Sequence, residues 1–176
     1  MGDDPSGTAM TGRRAVVLEL TRMEAAHLTG LVNQFAELLD DSDSSSTDPA
    51  IARLVPVAYA DDAEAAQEFR DLTERDLLGR RRRDAELVLE SLRDPATLPD
   101  DAKPGDETLM EVVDVHLDAD ALQAWLRCLA AIRLVLATRL EIRTEEDHDV
   151  DDPRFGIYEW LGYRLDGLVQ AASDDD

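Results

Sequence analysis

The fold is decided by the stretch from Asp118 to Leu140, which reads DADALQAWLRCLAAIRLVLATRL. Its large apolar residues recur at spacings of three and four, which places them on one face of an α-helix. They are Leu122, Trp125, Leu129, Ile132, Leu136 and Leu140. Much of the remaining stretch is apolar too, as is typical of a helix that is covered on most sides. We therefore predict a central helix, 118–140, against which the other elements pack.

Two shorter segments predict β-strands. Arg14 to Leu20 (RAVVLEL) is rich in branched residues, and Leu109 to Leu117 (LMEVVDVHL) alternates apolar and polar side chains towards its end. Each leads directly into a polar capping residue, Thr21 or Asp118, and then into a helix. The predicted fold class is mainly α, a bundle of about five to six helices around helix 118–140 with a small two-stranded β ribbon formed by 14–20 and 109–117. The pattern leaves open whether the ribbon is parallel or antiparallel.

Local signals predict the other helices. Thr21 and Glu24 fit a capping box, in which each side chain bonds the backbone N–H of the other, and the helix they open ends near Leu39. Asp48 followed by Pro49 is a start signal for a short helix. The remaining predicted helices run from Asp61 or Asp62 to Leu92, where a break near Gly79 stays open, and from Arg154 to Ala172, with Ile157, Leu161, Leu165 and Leu168 on one face.

A single domain is expected. A chain of 176 residues is long enough to bury a core of its own. We predict a mobile tail over residues 1–12, because this segment is small and polar. A single helical domain over 13–172 follows, and residues 173–176 form an acidic tail.

The chain is strongly acidic, with 40 Asp and Glu residues against 18 Lys and Arg and a formal net charge of -22 at pH 7. Such a surface repels the phosphates of nucleic acids and of anionic membranes, so direct DNA binding is disfavoured and no membrane partner is expected. A single cysteine cannot form an intramolecular disulfide, and the N-terminus has no signal pattern. No apolar run approaches the ~18 residues of a membrane span. We expect a soluble cytoplasmic protein.

The sequence contains no motif for catalysis or metal binding. Its three histidines fall on a predicted helix, a predicted strand and a predicted loop, and there is no HExxH or Cys/His cluster. Asp147, Asp149 and Asp151 have the first spacings of an EF-hand loop. The pattern then fails, because Asp152 replaces the required glycine and Tyr158 the required glutamate. We expect no catalytic residue, no metal ligand, no cofactor and no enzymatic activity.

Two residues of the central stretch are candidates for a functional role. Cys128 is the redox candidate, although a small apolar residue packed beside the core is the favoured interpretation of a cysteine inside such a helix. Arg133 falls within the apolar sector, where a buried arginine is costly unless it is paired. We predict that Arg133 is a buried ion-pair anchor, with a carboxylate partner on another helix, Glu68 or Glu159.

The chain has one basic block, which consists of Arg80, Arg81, Arg82 and Arg83. Consecutive residues of a helix are turned by about 100°, so these side chains radiate around the helix and cannot form one phosphate-binding stripe. We predict that they pair with local acids, namely Glu74, Asp76, Asp84 and Glu86. The block also remains a candidate contact for a negatively charged partner.

Three stretches in a fixed order cover most of the chain after Arg13. They are DPAIARLVPVAY with DDAEAAQEFRDLTERDL (Asp48 to Leu77), AWLRCLAAIRLVLATRLEI (Ala124 to Ile142) and YEWLGYRLDGLVQA (Tyr158 to Ala171). Through them the chain resembles the actinobacterial proteins first catalogued as a domain of unknown function and later described as oxidative-stress transcriptional regulators of the AosR type. The stretches are features of a fold and do not form a catalytic signature.

The resemblance implies a non-enzymatic regulator that acts by protein–protein contact and works with an alternative sigma factor of RNA polymerase. It also implies a response to oxidation through cysteine chemistry. A thiol switch within one chain needs two cysteines, and only Cys128 is present. An intermolecular disulfide, a sulfenic acid at Cys128 or a redox-independent role therefore remains.

Two alternatives stay open. The first is a small-ligand-binding or unrecognised enzymatic helical domain with a pocket near Arg133, which needs a cleft of about 300 Å³ or more with converging polar groups. The second is a homodimer, because the N-terminal strand and the aromatic last helix could supply an apolar face.

Overall fold

The computed structural model describes residues 16–41, 48–55, 63–99, 101–144, 147 and 151–173, with only the backbone described over 63–72. In this part of the chain, five α-helices and one two-stranded sheet share a core. The elements are β1 (Val16–Thr21), α1 (Arg22–Asp41), α2 (Pro49–Leu54), α3 (Ala63–Leu92), β2 (Val112–Leu117), α4 (Ala119–Arg139) and α5 (Gly156–Ser173). The predicted fold class, mainly α with a small β ribbon, is confirmed.

Helix α4 is the central element, as predicted. The Asp118 carboxylate caps it by accepting a hydrogen bond of 2.8 Å from the Ala121 N–H. Its buried face contains Leu122, Trp125, Leu129 and Ile132. The Trp125 indole N–H donates to the Ser91 hydroxyl on α3 at 2.8 Å, so the polar atom of this fully buried side chain is satisfied.

By length and composition alone, α4 is apolar enough to cross a membrane. The sequence-based expectation that no apolar run approaches the length of a membrane span therefore underestimated the apolar length of this helix. In the fold, α4 packs against α2, α3 and α5, and this packing accounts for its apolar composition as that of a core helix.

The ribbon is antiparallel, which settles the orientation that the sequence pattern left open. Its register pairs Val16 with Leu117 and Thr21 with Val112. Alternate side chains of both strands turn towards the helices, and those between them are more exposed. One face of the ribbon is thus buried against the helices. A two-stranded sheet needs such packing, because it is only marginally stable alone in water.

The second strand begins later than predicted. Residues 107–110 form a 3-10 helix, in which the Leu109 N–H donates to the Asp106 carbonyl at 3.1 Å. These local hydrogen bonds replace the cross-strand bonds that a strand from Leu109 would need. The predicted start of the first strand, Arg14, lies outside the described residues.

The predicted starts of α1 and α2 are confirmed at atomic detail, whereas Asp61 and Asp62 lie outside the described residues. The Thr21 N–H donates to Glu24 Oε2 at 2.9 Å, and the Glu24 N–H donates to Thr21 Oγ1 at 3.2 Å, so the capping box is complete. Asp48 Oδ1 accepts from the Ala50 N–H at 2.8 Å, with Pro49 in the first turn of α2.

Some helix boundaries differ from the prediction. Helix α3 runs unbroken through Gly79, so the break left open there does not occur. The last helix is preceded by a 3-10 turn, Pro153–Phe155, and its α-helical part begins at Gly156. It reaches Ser173, so the first residue of the predicted acidic tail is helical. The predicted tail 1–12 and residues 174–176 lie outside the described residues.

The C-terminus of α4 turns sharply at Glu141, whose φ of 59° is the only positive value of a non-glycine residue in the described part of the chain. The Ile142 N–H donates to the Ala137 carbonyl at 2.9 Å, which closes the helix as a Schellman motif does. Ile142 is buried with Phe155 in a small second core at this end of α4. The turn sets the direction in which the chain continues into Arg143.

Candidate functional site

A cleft of about 800 Å³ opens beside Arg133, at the place where the sequence suggested a pocket. Its lining includes Arg53, Arg133, Arg143, Leu134, Tyr158 and Leu165. We name it the arginine cleft. Residues of α2, α4, α5 and the segment after α4 form its walls. Its volume exceeds the ~300 Å³ that a ligand-binding cleft needs.

Arg133 is partly buried and is held by α5. Its Cζ lies 4.1 Å from the centroid of the Tyr158 ring, and its Nε donates to the Tyr158 carbonyl at 3.4 Å. A Cβ added at Gly162 would lie 3.2 Å from both Nε and Nη2 of Arg133. The absence of a side chain at position 162 therefore leaves room for the guanidinium against the helix backbone.

The structure tests only part of the prediction that Arg133 is a buried ion-pair anchor. Among the described residues, Arg133 contacts the ring and the carbonyl of Tyr158 in place of the expected carboxylate of Glu159. The side chain of Glu68, the other predicted partner, lies outside the described residues. Because Arg133 keeps contact with the open cleft, it escapes the full desolvation cost that would demand a buried counter-charge.

A second concavity, which we name the apolar groove, lies between α1 and α5 and has a volume of about 550 Å³. Its lining includes Met23, Ala26, His27, Leu31, Ile157 and Trp160. Ile157 was predicted on the core face of the last helix, but its side chain is 52% exposed at this groove. Contiguous exposed apolar surface of this kind marks interaction sites in soluble proteins.

One wall of the apolar groove is fixed by Glu24. Its carboxylate accepts hydrogen bonds from the Thr21 N–H at 2.9 Å and the Trp160 indole N–H at 3.2 Å, and it pairs with Arg164. Burial alone raises the pKa of Glu24, but the hydrogen bonds from Thr21, Arg164 and Trp160 outweigh it and lower the pKa to about 2. The network joins the start of α1 to α5, so Trp160 presents a fixed surface.

Cys128 lies in the core between α3 and α4 and is only 1% exposed. Burial raises the pKa of its thiol to about 12, the Asp84 carboxylate adds to the rise, and the Arg81 guanidinium opposes it. Since the thiolate is the reactive form, this environment keeps the thiol unreactive. The burial agrees with the interpretation of Cys128 as a packed core residue, favoured on sequence grounds over a redox role.

The arginines of the basic block separate around α3. Arg80 pairs with Asp76 at 2.6 Å and Arg82 with Glu86 at 3.1 Å, as predicted for local acids. Arg82 also pairs with Asp40 of α1, a contact that local spacing does not reveal.

Another arginine of the block turns inward. Arg81 donates to the Leu54 carbonyl at 3.1 Å, and its buried Nε has no hydrogen-bond partner among the described residues. Asp84, a predicted partner of the block, instead accepts two hydrogen bonds from Arg127 at 2.9 and 2.7 Å, because the fork of that guanidinium matches the carboxylate. A role of the block as a partner contact stays a prediction.

Within the described ranges, no group of three or more His, Cys, Asp or Glu side chains is arranged to hold a metal ion. His27 lines the apolar groove and His116 is exposed on β2, whereas His148 lies outside those ranges. The expectation of a protein without metal, cofactor or catalytic residue stays a prediction.

The sequence pointed to Arg133 and missed the two arginines beside it. Arg53 is exposed on α2, and Arg143 follows the turn that ends α4. No local pattern connects these positions, because the cleft exists only once α2 and α5 have packed on α4.

The described residues form a small acidic helical fold in which the arginine cleft and the apolar groove lie close together along α5. Adjacent residues at the start of α5, Ile157 and Tyr158, line different concavities. A family model described as Domain of unknown function (DUF2017) matches residues 6–172, and the chain therefore belongs to this family. No curated protein and no solved structure matches the chain. The regulatory role that the AosR-type resemblance implies goes beyond this family description.

Proposed function

We propose that this protein is a non-enzymatic regulator that acts by binding another protein through the apolar groove between α1 and α5. The observation that carries the proposal is an apolar concavity of about 550 Å³ that stays open on a protein with a net charge of -22. An apolar concavity on a strongly charged protein surface is the kind of feature that marks an interaction site.

The shape of the groove favours an apolar helix as the partner segment. Two helices form its walls, and an amphipathic helix binds such a groove through side chains spaced by three, four and seven residues. Ile157 and Trp160 supply apolar surface, and the Glu24 network holds Trp160 in place before the partner arrives. Rigid walls reduce the entropy that is lost on binding.

The charge of the protein adds a second requirement. A net charge of -22 attracts segments in which Lys or Arg flanks the apolar residues, and it accelerates their association. We propose that the partner belongs to the cytoplasmic transcription machinery, as an alternative sigma factor or another RNA polymerase component. The support is the resemblance to AosR-type regulators, together with an acidic surface that disfavours DNA binding and leaves DNA contacts to the partner.

Because Cys128 is buried, we propose that partner binding does not depend on oxidation of the thiol. The affinity of the reduced protein for the partner should equal that of protein treated with hydrogen peroxide. A change in binding after peroxide treatment of the wild-type protein that is absent from Cys128→Ser would restore a redox role.

Substitution of Ile157 by aspartate tests the groove directly. Burial of such a side chain contributes about 1.5–3 kcal/mol, so we expect Ile157→Asp to weaken binding to purified sigma factors or core RNA polymerase about tenfold or more. The matched control is Val169→Asp, which introduces the same charge at an aliphatic residue of α5 that is 48% exposed and does not line the groove. Biolayer interferometry measures both affinities.

Two results would contradict the proposal. One is the absence of binding between the wild-type protein and any of these transcription components. The other is a loss of affinity in Val169→Asp equal to that in Ile157→Asp. Light scattering of the isolated protein tests the homodimer that the sequence left open. A dimer that Ile157→Asp converts to a monomer would make the groove an interface between copies of this chain.

A further inference from the structure

We propose that the arginine cleft binds a phosphorylated small molecule. Three arginines, Arg53, Arg133 and Arg143, line this one concavity. They do so in a chain whose acids outnumber its Lys and Arg residues by 40 to 18. The proposal concerns a different surface from the apolar groove and does not depend on the regulatory function.

Among the side chains that the structure describes, the three arginines differ from most others because none of them forms an ion pair. Among the side chains that the structure describes, eight arginines form ion pairs. They are Arg22, Arg80, Arg82, Arg93, Arg127, Arg139, Arg154 and Arg164. Within the same set of described side chains, no ion pair involves an arginine of the cleft. Within the described part of the chain, no carboxylate occupies these guanidinium groups, which leaves them open to an external anion.

Asp147 is the described carboxylate that lies next to Arg143 in the fold, and it is engaged elsewhere. It accepts hydrogen bonds from the backbone N–H groups of Arg143 and Thr144, each at 2.9 Å, and from the Thr144 hydroxyl at 3.2 Å. These bonds, and to a smaller extent the positive charge of Arg143, lower the pKa of Asp147, and the bonds stabilise the turn. The carboxylate thus orders the backbone and does not form a salt bridge with a cleft arginine in the described part of the chain.

Arg133 is held in position before any ligand binds. The Tyr158 ring lies 4.1 Å from its Cζ, and Gly162 leaves space for it on the backbone of α5. A guanidinium with a fixed plane loses little conformational entropy when it binds an oxyanion through two parallel hydrogen bonds. Arg53 and Arg143 are exposed at the cleft and can adjust around the same anion.

The charge and the shape of the cleft select the ligand class. Three cations match the charge of a phosphate dianion better than that of a single carboxylate, and guanidinium forks fit phosphate oxygens. The cleft is far larger than a phosphate ion, and Leu134 and Leu165 supply apolar wall. A phosphate monoester with an apolar or aromatic body fits both parts of this lining.

Isothermal titration calorimetry of the full chain tests the site with three probes: phenyl phosphate, inorganic phosphate and benzoate. We expect phenyl phosphate to bind most tightly, and its affinity to fall as salt is added. Because Arg53 and Arg143 are exposed, the double variant Arg53→Gln/Arg143→Gln should fold normally, and we expect it to bind phenyl phosphate about tenfold or more weakly. The control Arg93→Gln removes one exposed positive charge outside the cleft and should leave binding unchanged.

Three outcomes would overturn the proposal. If phenyl phosphate does not bind at low ionic strength, the cleft is not a binding site for phosphate monoesters. If benzoate and phenyl phosphate bind with equal affinity, the cleft does not prefer phosphate over carboxylate. Equal weakening in Arg93→Gln shows that general electrostatic attraction, rather than the cleft, holds the ligand. Circular dichroism of each variant shows that the fold is retained, so that a loss of binding can be assigned to the side chains.

Discussion

Replacement of Gly162 by alanine tests how closely Arg133 rests on α5. Gly162 lies inside a helix, where alanine is favoured over glycine by about 1 kcal/mol. The new Cβ would lie 3.2 Å from Nε and Nη2 and 3.3 Å from Cζ of Arg133, so the guanidinium has to move. That movement weakens its stacking on Tyr158, which contributes about 0.5–1 kcal/mol at a site still open to solvent.

The two effects nearly cancel in the folding equilibrium. We expect the free energy of unfolding of Gly162→Ala to lie within about 0.5 kcal/mol of the wild-type value. The matched control is Gly167→Ala on the same helix, where an added Cβ meets no other described atom within 4 Å. The control should gain about 1 kcal/mol, because it has the helix propensity without the steric cost.

Urea unfolding followed by far-ultraviolet circular dichroism measures both variants. Titration with phenyl phosphate supplies a second measurement, since displacement of Arg133 should weaken binding in Gly162→Ala and leave it intact in Gly167→Ala. A gain of about 1 kcal/mol in both variants would refute the reasoning, because it would mean that the guanidinium does not rest against position 162.

Further predictions follow from single residues. Glu141→Gly should raise the free energy of unfolding by about 1 kcal/mol in urea, because a left-handed conformation costs a non-glycine residue about 1–2 kcal/mol and glycine recovers most of it; an unchanged or lower value would contradict this. Glu24 has a folded pKa of about 2, below its ordinary 4.5, so its stabilising contribution is present above pH 4.5 and is lost as the pH falls towards 2. The difference in unfolding free energy between wild type and Glu24→Gln should shrink over that range, and a constant difference would count against the network. Cys128 should react with a thiol reagent about a hundredfold or more slowly in the native protein than in urea, and equal rates would show that the thiol is accessible.

Much of the helical framework could be predicted because its signals are local. The capping box of Thr21 and Glu24 and the cap at Asp118 act within three residues of the chain, so the sequence contains both partners of each hydrogen bond side by side. The periodicity of the central stretch likewise identified α4 and its buried face, because helical geometry alone decides which residues align. At Leu109 the local pattern misled the prediction, because a segment with a strand-like pattern forms the hydrogen bonds of a 3-10 helix.

Only part of the candidate site could be predicted from the sequence. Arg133 stood out because it is a charged residue on an apolar helix face, and the structure does place a cleft beside it. Its contact with Tyr158 could not be inferred, because a ring and a carboxylate are both reasonable partners for a partly buried guanidinium. Ile157 matched the core face of its helix by spacing, yet it is exposed at the apolar groove that α1 and α5 line.

The sequence by itself determined the mainly helical class, the central helix, the caps and the acidic surface, since composition and contacts between near neighbours suffice for these. Only the tertiary structure decided the antiparallel ribbon, the ion pair of Arg82 with Asp40 and the meeting of Arg53, Arg133 and Arg143 in one cleft. These features join residues from different elements. The packing of α2, α3 and α5 on α4, rather than any local preference, brings them together.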